Sequence, residues 1–168
     1  MRYLPLKREN IPAMIDEMNT LLCNFQIYYQ KLRSFHWNVK GENFFELHDQ
    51  FEKLYQNAQT NIDDIAERIR TLKYSPVSLL RRYLERAEIK EIDAFLNDQE
   101  MVKAILKDHA ILSDSLYRTL EKAEMANDGA TIHLLSGIQL ALEKKSWMLD
   151  TWLSQPVSTL SEESTLAS

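Results

Sequence analysis

The chain has 168 residues, of which 45% are hydrophobic, and its formal net charge is −5. This size and hydrophobic content suit one domain with its own core, and they exclude an intrinsically disordered chain. With only three glycines and four prolines, the chain lacks the frequent turns that sandwiches, barrels and propellers need. We therefore predict an all-α protein.

The sequence also limits the cellular setting. Cys23 is the only cysteine, so neither an intrachain disulfide nor a cysteine-based zinc site can form. The first ten residues contain no apolar segment typical of a secretion signal, and no run of residues is apolar enough to span a membrane. We expect a cytoplasmic protein without a membrane partner. Its acidic balance disfavours nucleic acid as the main partner, because phosphate binding requires basic side chains.

Apolar residues at three- and four-residue spacing predict two long helices in the first half of the chain. The first is expected to be capped by Asn10, to run to about Val39 and to stop at Gly41. The second is expected to start near Asn43 and to end at the Tyr74-Ser75-Pro76 segment. The short link between them predicts an antiparallel hairpin.

A 24-residue connection follows, from Tyr74 to Asn97, and its apolar spacing predicts a short helix within 79–87. Asn97 and Glu100 predict a capping box that opens a third long helix, and a fourth is predicted over about 130–153. The long connection lets the second and third long helices run parallel. The predicted organisation is a four-helix bundle over residues 10–153, with tails over 1–9 and 154–168.

Two of the four histidines flank the first turn. His36 lies five residues before Gly41 and His48 lies seven residues after it. Positions at equal distance from the turn of an antiparallel hairpin lie side by side, so the two imidazoles are expected to be neighbours.

Four side chains form one stripe along the second helix, at about 100° per residue. His48 and Glu52 make one i, i+4 pair, and Asp63 and Glu67 make another. A set of imidazoles and carboxylates suits iron, zinc or manganese. The two pairs are roughly 16 Å apart along the helix axis, however, so they cannot hold one ion within one chain.

A two-fold axis between the pairs would remove this difficulty. Antiparallel pairing of two copies would place His48 and Glu52 of one chain against Asp63 and Glu67 of the other. The axis is expected near residues 57–58, where the small Ala58 would permit a close approach. A metal site of this kind requires an oligomer.

Each residue also has an ordinary interpretation. Asp63 and Glu67 suit a solvated helix face, and His48 suits a surface position near a helix start. His36 is compatible with a packed core, and His109 lies on the apolar stripe of the third long helix, where a structural role is expected. The shared geometry of the set, rather than any single residue, favours a metal site.

Several segments resemble the Dps family, the bacterial mini-ferritins also called DNA-protecting proteins of starved cells. The similarity spans about residues 10–153. It is carried by Ser34-Phe35-His36-Trp37-Asn38-Val39-Lys40-Gly41-Glu42-Asn43-Phe44-Phe45, by Leu47-His48, by Ile62-Asp63-Asp64-Ile65-Ala66-Glu67-Arg68-Ile69 and by Glu143-Lys144-Lys145-Ser146-Trp147-Met148-Leu149. No Glu-x-x-His motif occurs, so the intrasubunit di-iron centre of larger ferritins is not expected.

The resemblance implies a ferritin-like fold, a hollow homododecamer and ferroxidase centres at the two-fold interfaces. It implies oxidation of Fe²⁺ by hydrogen peroxide and storage of ferric oxyhydroxide inside the cage. Trp37, beside the site, is implied to quench radical by-products. The implied iron ligands are His36, His48 and Glu52 of one chain with Asp63 and Glu67 of its partner.

This sequence departs from the family pattern at two places. Position 52 is Glu where the family usually has Asp, and the longer side chain is expected to shift the second iron position. The family's acid-lined pores lie around the last interhelical turn. This chain offers Glu121, Glu124 and Asp128 there, but Gly129 and His133 where acids are common.

An alternative function is a nucleoid DNA-binding protein with secondary iron chemistry. Family members that bind DNA directly usually have a tail rich in lysine and arginine. Here residues 1–10 carry three basic side chains, and the C-terminal tail carries two glutamates and no base. An assembly of acidic chains would repel phosphate, so we rank iron oxidation and storage first.

Overall fold

Four long helices and one short helix make up the described part of the chain. The computed structural model describes residues 6–154. Within that range the helices follow a 3₁₀ turn at Arg8–Asn10 and are α1 (Ile11–Asn38), α2 (Phe44–Thr71), α3 (Leu80–Arg86), α4 (Asp98–Met125) and α5 (Gly129–Leu153). This architecture confirms the prediction of an all-α, ferritin-like four-helix bundle with a short extra helix in the long connection.

Side-chain contacts establish the direction of the helices. At the start of α2, Asn43 Nδ2 donates to Asp98 Oδ2 at the start of α4 over 2.7 Å. Near the end of α2, Arg68 Nη2 donates to Asp128 Oδ1, just beyond α4, over 2.6 Å. Because the beginnings meet and the ends meet, α2 and α4 run parallel, as the long connection predicts.

The core is built around α1, which contributes more buried residues than any other described helix. Each apolar side chain that is fully buried stabilises the fold by roughly 1.5–3 kcal/mol. The largest ones from α1 are Phe25, Phe35, Met14 and Met18. Since α1 is held along its whole length, its last turn, which carries His36, has a fixed position.

Two predicted helix starts have different outcomes. The capping box is present: Glu100 N donates to Asn97 Oδ1 and Asn97 N donates to Glu100 Oε2, each over 2.9 Å. Asn10 occupies the N-cap position of the first helix, as predicted, but its side chain makes no capping hydrogen bond. Asn10 lies in the 3₁₀ turn, and its side-chain Nδ2 donates to the Met125 carbonyl over 2.6 Å, so it ties the start of α1 to the end of α4.

The first two long helices end slightly before their predicted stops. Helix α1 ends at Asn38, and Gly41 lies within the turn with φ of +105°, a conformation that glycine adopts without strain. Helix α2 ends at Thr71, before the Tyr74-Ser75-Pro76 segment. Lys73 takes the left-handed conformation there, with φ of +71°, and Tyr74 N donates back to the Ile69 carbonyl over 3.2 Å.

The predicted tails fall largely outside the described residues, which exclude 1–5 and 155–168. The small part of the N-terminal tail that is described contacts the bundle, since Lys7 N donates to the Ala126 carbonyl over 2.9 Å. In residues 6–154, none of the helices combines the length and the apolar character needed to cross a membrane.

Candidate metal centre

His36 and His48 are joined by two reciprocal hydrogen bonds across the α1–α2 turn. His36 Nδ1 donates to the His48 carbonyl over 2.8 Å, and His48 Nδ1 donates to the His36 carbonyl over 2.9 Å. A carbonyl oxygen only accepts hydrogen bonds, so each Nδ1 must carry a proton. When the imidazoles are neutral, both Nε2 atoms therefore present a free lone pair.

The two rings are held in place by stacking. Their centroids are 3.8 Å apart and their planes differ by 22°. Phe44 stacks on the other side of His48 at 5.1 Å, and Tyr55 packs its edge on His36 at 5.3 Å. Metal-binding histidines typically donate the second ring N–H to a carbonyl or carboxylate, which orients the ring. Both histidines have this arrangement, so the prediction that they are neighbours is confirmed.

Glu52 follows His48 by one helical turn and is half-buried. Its Oε1 accepts hydrogen bonds from the Tyr55 hydroxyl over 3.4 Å and from Gln56 Nε2 over 3.2 Å. Neither donor is charged, and Glu52 forms no salt bridge among residues 6–154. Its second oxygen has no hydrogen-bond partner among residues 6–154.

Asp63 and Glu67 lie on the exposed face of α2, and no other residue of the described chain engages them in a hydrogen bond or an ion pair. Asp63, the nearer of the two, stands roughly 16 Å along the helix from Glu52. Nowhere in residues 6–154 do three or more histidine, cysteine or acidic side chains converge on one point. A single chain thus brings the two histidines together, but not the full predicted set.

One detail of the predicted two-fold axis is wrong. Ala58 is 1% exposed and packs in the core of its own chain, and Asn57 accepts a hydrogen bond from Lys145 of α5. The exposed residues between the two pairs on the same stripe are Gln56 and Gln59. A second copy approaching this face would meet amide side chains and not a small apolar residue.

Trp37 follows His36 in sequence, and its indole ring packs against an arginine side chain. It is 58% exposed and packs under the Arg33 guanidinium, whose central carbon is 4.8 Å from the ring centroid. No ring contact joins Trp37 to His36 or His48 within the part of the chain that the structure describes.

His109 has the structural role that the sequence predicts, and Cys23 is also buried. His109 is buried, and both ring nitrogens are engaged, with the Tyr28 hydroxyl and with Ser146 Oγ, each at 2.7 Å. Burial, together with the nearby Lys145 charge, lowers the pKa of His109 to about 3. Burial also raises the pKa of the Cys23 thiol to about 11, so the reactive thiolate is not available at neutral pH.

Asp128 was expected among the acids near the last interhelical turn, but its carboxylate is already engaged. It is 1% exposed, forms an ion pair with Arg68 and caps α5 by accepting from Thr131 N over 3.1 Å. Glu121 and Glu124 remain exposed nearby, as do Gly129 and His133. Any acidic channel at this end of the bundle would therefore rely on the two glutamates.

Tyr55 is the contact that the sequence analysis missed. It lies three residues after Glu52 and seven after His48, a spacing that places all three on adjacent turns of one helix. That spacing was available from the sequence. The reciprocal histidine hydrogen bonds were not, because they depend on the backbone path of the turn.

Comparisons with known proteins agree with this architecture. The ferritin-like domain family matches residues 15–156. The chain is 39% identical over 142 residues to "DNA protection during starvation protein 2" of Bacillus anthracis, covering 84% of this chain and 97% of the relative. It is 40% identical over 136 residues to "DNA protection during starvation protein" of Brevibacillus brevis, covering 81% and 91% respectively.

Two solved structures share the fold over most of their length. One is a Dps protein from Bacillus brevis, with a TM-score of 0.85 and 38% identity, covering 88% of this chain and 99% of the other. The other is a Dps protein from Vibrio cholerae, described as a member of the ferritin-like diiron-carboxylate superfamily. It has a TM-score of 0.84 and 35% identity, and the match covers 87% and 92% of the two chains.

Proposed function

This chain belongs to the Dps family of ferritin-like proteins, and we propose that it oxidises Fe²⁺ with hydrogen peroxide and stores the ferric product. The proposed ferroxidase centres lie between subunits of a hollow homododecamer. His36, His48 and Glu52 of one chain and Asp63 and Glu67 of its partner are the proposed iron ligands. Removing free Fe²⁺ and peroxide together would protect DNA and the rest of the cell from oxidative damage.

The observation that carries this proposal is the reciprocal bonding of His36 and His48. Both Nδ1 atoms are occupied by carbonyl oxygens, so two Nε2 lone pairs are left free at one edge of the bundle. A mixed nitrogen and carboxylate donor set suits Fe²⁺, and zinc or manganese would fit the same donors. Soft copper(I) would not be favoured.

The ligand halves have complementary charges and roles. One half would supply two imidazole nitrogens and the Glu52 carboxylate, and the partner's half would supply two further carboxylates. The few protein ligands available to each iron would leave open positions where peroxide can approach. One peroxide then accepts two electrons, one from each of two Fe²⁺ ions, and is reduced to water without releasing hydroxyl radical.

Assembly follows from the same geometry. The roughly 16 Å between Glu52 and Asp63 requires a second chain to complete each centre, and a cage is required to retain a mineral. Sedimentation should show one species of twelve 19.7 kDa chains. A stable monomer at micromolar concentration would contradict both the interface centre and the proposed function.

The sharpest test of the centre is a co-assembly experiment. One variant carries His36→Ala and His48→Ala, and the other carries Asp63→Ala and Glu67→Ala. In a mixed dimer, one centre receives both damaged halves and the other receives two intact halves. Mixed dimers should regain about half of the wild-type centres, whereas each variant alone should regain none. Stopped-flow absorbance of the ferric product measures the recovery.

Folding must be controlled in this experiment, because His36 is buried and both rings form hydrogen bonds. The double histidine variant is expected to lose about 1–3 kcal/mol of stability and still to assemble. Circular dichroism and sedimentation check both points. If verified mixed dimers recover no activity, the ligands do not come from two chains and the proposed centre is wrong.

Direct DNA binding is not part of this proposal. The chain carries a net charge of −5, which a cage multiplies, and duplex binding depends on neutralising phosphates with basic side chains. Plasmid should show no gel retardation at about 150 mM salt without divalent ions. A clear shift under those conditions would favour the alternative of a nucleoid DNA-binding protein.

A further inference from the structure

Two polar side chains on the next turn of α2 contact the carboxylate of Glu52. The Tyr55 hydroxyl donates to Glu52 Oε1 over 3.4 Å, and Gln56 Nε2 donates to the same oxygen over 3.2 Å. Residues three and four positions apart are neighbours on a helix surface, so both donors approach Glu52 from the same side. Oε1 therefore accepts two hydrogen bonds, whereas Oε2 accepts none from residues 6–154.

The two oxygens of Glu52 consequently differ in what they can still bind. A carboxylate oxygen accepts in about two lone-pair directions. The two donors occupy those of Oε1, and the directions of Oε2 stay available. Hydrogen bonds to one oxygen also restrict rotation of the carboxylate about its last bond, so they set the direction of the other oxygen as well. Carboxylates that bind metals are commonly hydrogen-bonded in this way.

The ring of Tyr55 is itself held by two other rings. Its edge packs on the His36 imidazole, with centroids 5.3 Å apart and an interplanar angle of 78°. The Tyr29 ring packs against it at 6.1 Å, also at 78°. These contacts restrict the Tyr55 side chain, so the position of its hydroxyl is set by the bundle. Tyr55 thus contacts one proposed ligand, His36, through its ring and another, Glu52, through its hydroxyl.

We propose that Tyr55 and Gln56 are positioning residues, which hold Glu52 by Oε1 and make Oε2 the oxygen that binds the metal. This inference rests on the proposed function, because it assigns roles around the proposed centre. Neither residue contacts the metal. They order the carboxylate before the metal binds, so that the cost of immobilising this side chain does not reduce the affinity. They also limit Glu52 to one metal-binding oxygen, which leaves a coordination position for peroxide.

The test uses the assembled full-length protein with Zn²⁺ as the probe, because Zn²⁺ takes nitrogen and carboxylate ligands. Tyr55→Phe/Gln56→Leu removes both donors and keeps the ring. Tyr29→Phe/Gln59→Leu is the matched control, since it removes a hydroxyl from the adjacent ring and an exposed amide from the same stripe of α2. Neither of those groups forms a hydrogen bond to Glu52. Isothermal titration calorimetry measures the affinity.

We expect Tyr55→Phe/Gln56→Leu to bind Zn²⁺ about threefold to tenfold more weakly than the wild type, which is the cost of ordering one side chain on binding. The control variant should bind as the wild type does. Glu52→Asp shortens the side chain and withdraws its carboxylate from both donors, so adding Tyr55→Phe/Gln56→Leu to it should change the affinity by less than about twofold. If the affinity does not fall in the wild-type background, or falls equally in both backgrounds, the proposal is wrong.

Co²⁺ provides a measurement that a general loosening of the half-site would not change. It takes the same kinds of ligand, and its visible absorption bands depend on the number and arrangement of those ligands. The bands of cobalt-loaded Tyr55→Phe/Gln56→Leu should differ from those of the wild type, because either oxygen of Glu52 can then bind. Those of the control variant should not differ. Weaker zinc binding with an unchanged cobalt spectrum would give the two residues a structural role only and would overturn the proposal.

The histidine variant separates this inference from the proposed function. If His36→Ala/His48→Ala weakens zinc binding, but Tyr55→Phe/Gln56→Leu leaves the affinity and the cobalt spectrum unchanged, the proposed centre stands and the positioning role is wrong. If His36→Ala/His48→Ala binds zinc as tightly as the wild type, the centre is not built from these side chains, and both proposals fail.

Discussion

The His36–His48 pair and His109 are alike in having a carbonyl or hydroxyl partner, but they differ in the number of ring nitrogens that remain free. Each ring of the pair uses only Nδ1, on the carbonyl of the other residue. His109 uses both nitrogens, on Tyr28 and Ser146. A histidine with one free nitrogen lone pair can bind a metal ion, whereas a histidine whose two ring nitrogens are both hydrogen-bonded stabilises the fold.

The position of each histidine explains the difference. His36 and His48 lie beside a turn, where their rings meet each other and reach the edge of the bundle. His109 lies in the middle of α4, where Tyr28 of α1 and Ser146 of α5 approach it from two sides. The comparison therefore predicts that substitution of His36 and His48 removes activity, whereas substitution of His109 lowers stability and leaves activity in place.

The largest expected effect separates the two classes of histidine directly. His36→Ala/His48→Ala should slow peroxide-dependent Fe²⁺ oxidation by more than about 100-fold, since it removes two ligands and not merely their orientation. His109→Gln should keep the oxidation rate within about threefold of the wild type, because neither His109 nitrogen is free to bind iron. Stopped-flow absorbance measures both variants.

The stability of the same two variants must also be measured, so that a loss of activity is not mistaken for a loss of folding. His109→Gln should lose stability while it keeps activity, because it leaves the buried Tyr28 hydroxyl or Ser146 imperfectly partnered, at a cost of about 1–3 kcal/mol. If His109→Gln abolishes iron oxidation in cages that are shown to be intact, the distinction drawn from the free nitrogens fails.

Zinc binding tests metal binding by the histidine pair separately from oxidation, because Zn²⁺ does not change its redox state. Because Zn²⁺ takes nitrogen and carboxylate ligands, it should bind to the wild type and compete with Fe²⁺, and binding should weaken by about 10–100-fold or more in His36→Ala/His48→Ala. Isothermal titration calorimetry measures the affinity. Equal zinc affinity in both proteins would show that the main zinc site lies elsewhere.

Sequence reasoning reached the fold and the histidine pair because both depend on periodicity and distance from a turn. The parallel direction of α2 and α4 followed from the length of one connection, and the proximity of His36 to His48 followed from their nearly equal spacing about Gly41.

It failed where a side chain had a choice of partners. The side chain of Asn10, at the N-cap position, binds the Met125 carbonyl across the bundle instead of making a capping hydrogen bond, and Ala58 faces the core and not a neighbouring chain. Asp128 is similar, since its pairing with Arg68 depends on how α2 and α5 meet. Spacing along one helix does not reveal which of two surfaces will be covered.

A pH titration tests the role of His109. Burial lowers its pKa in the folded state to about 3, whereas in the unfolded chain it is near the ordinary value of about 6.5. The unfolded state therefore binds the proton first, so stability present above pH 6.5 should decline as the pH falls from about 6.5 to 3, by up to about 1.4 kcal/mol per unit. Guanidinium denaturation of wild type and His109→Gln isolates this contribution. Identical slopes in the two proteins would contradict it.

The smallest expected effect concerns the carboxylate of the same half-site. Glu52→Asp keeps the charge but withdraws the carboxylate by one methylene, beyond the reach of the Tyr55 hydroxyl, which already lies 3.4 Å away. We expect the rate of Fe²⁺ oxidation to fall by less than about tenfold, because a charged oxygen ligand remains on the same helical turn. Glu52→Gln is the matched control, since it keeps the length of the side chain and removes its charge. We expect Glu52→Gln to lower the rate of Fe²⁺ oxidation more than Glu52→Asp does. If Glu52→Asp lowers the oxidation rate more than Glu52→Gln, the length of the side chain at position 52 matters more for iron binding than its charge. The histidines would then fix the position of the iron so closely that a shorter carboxylate cannot follow it.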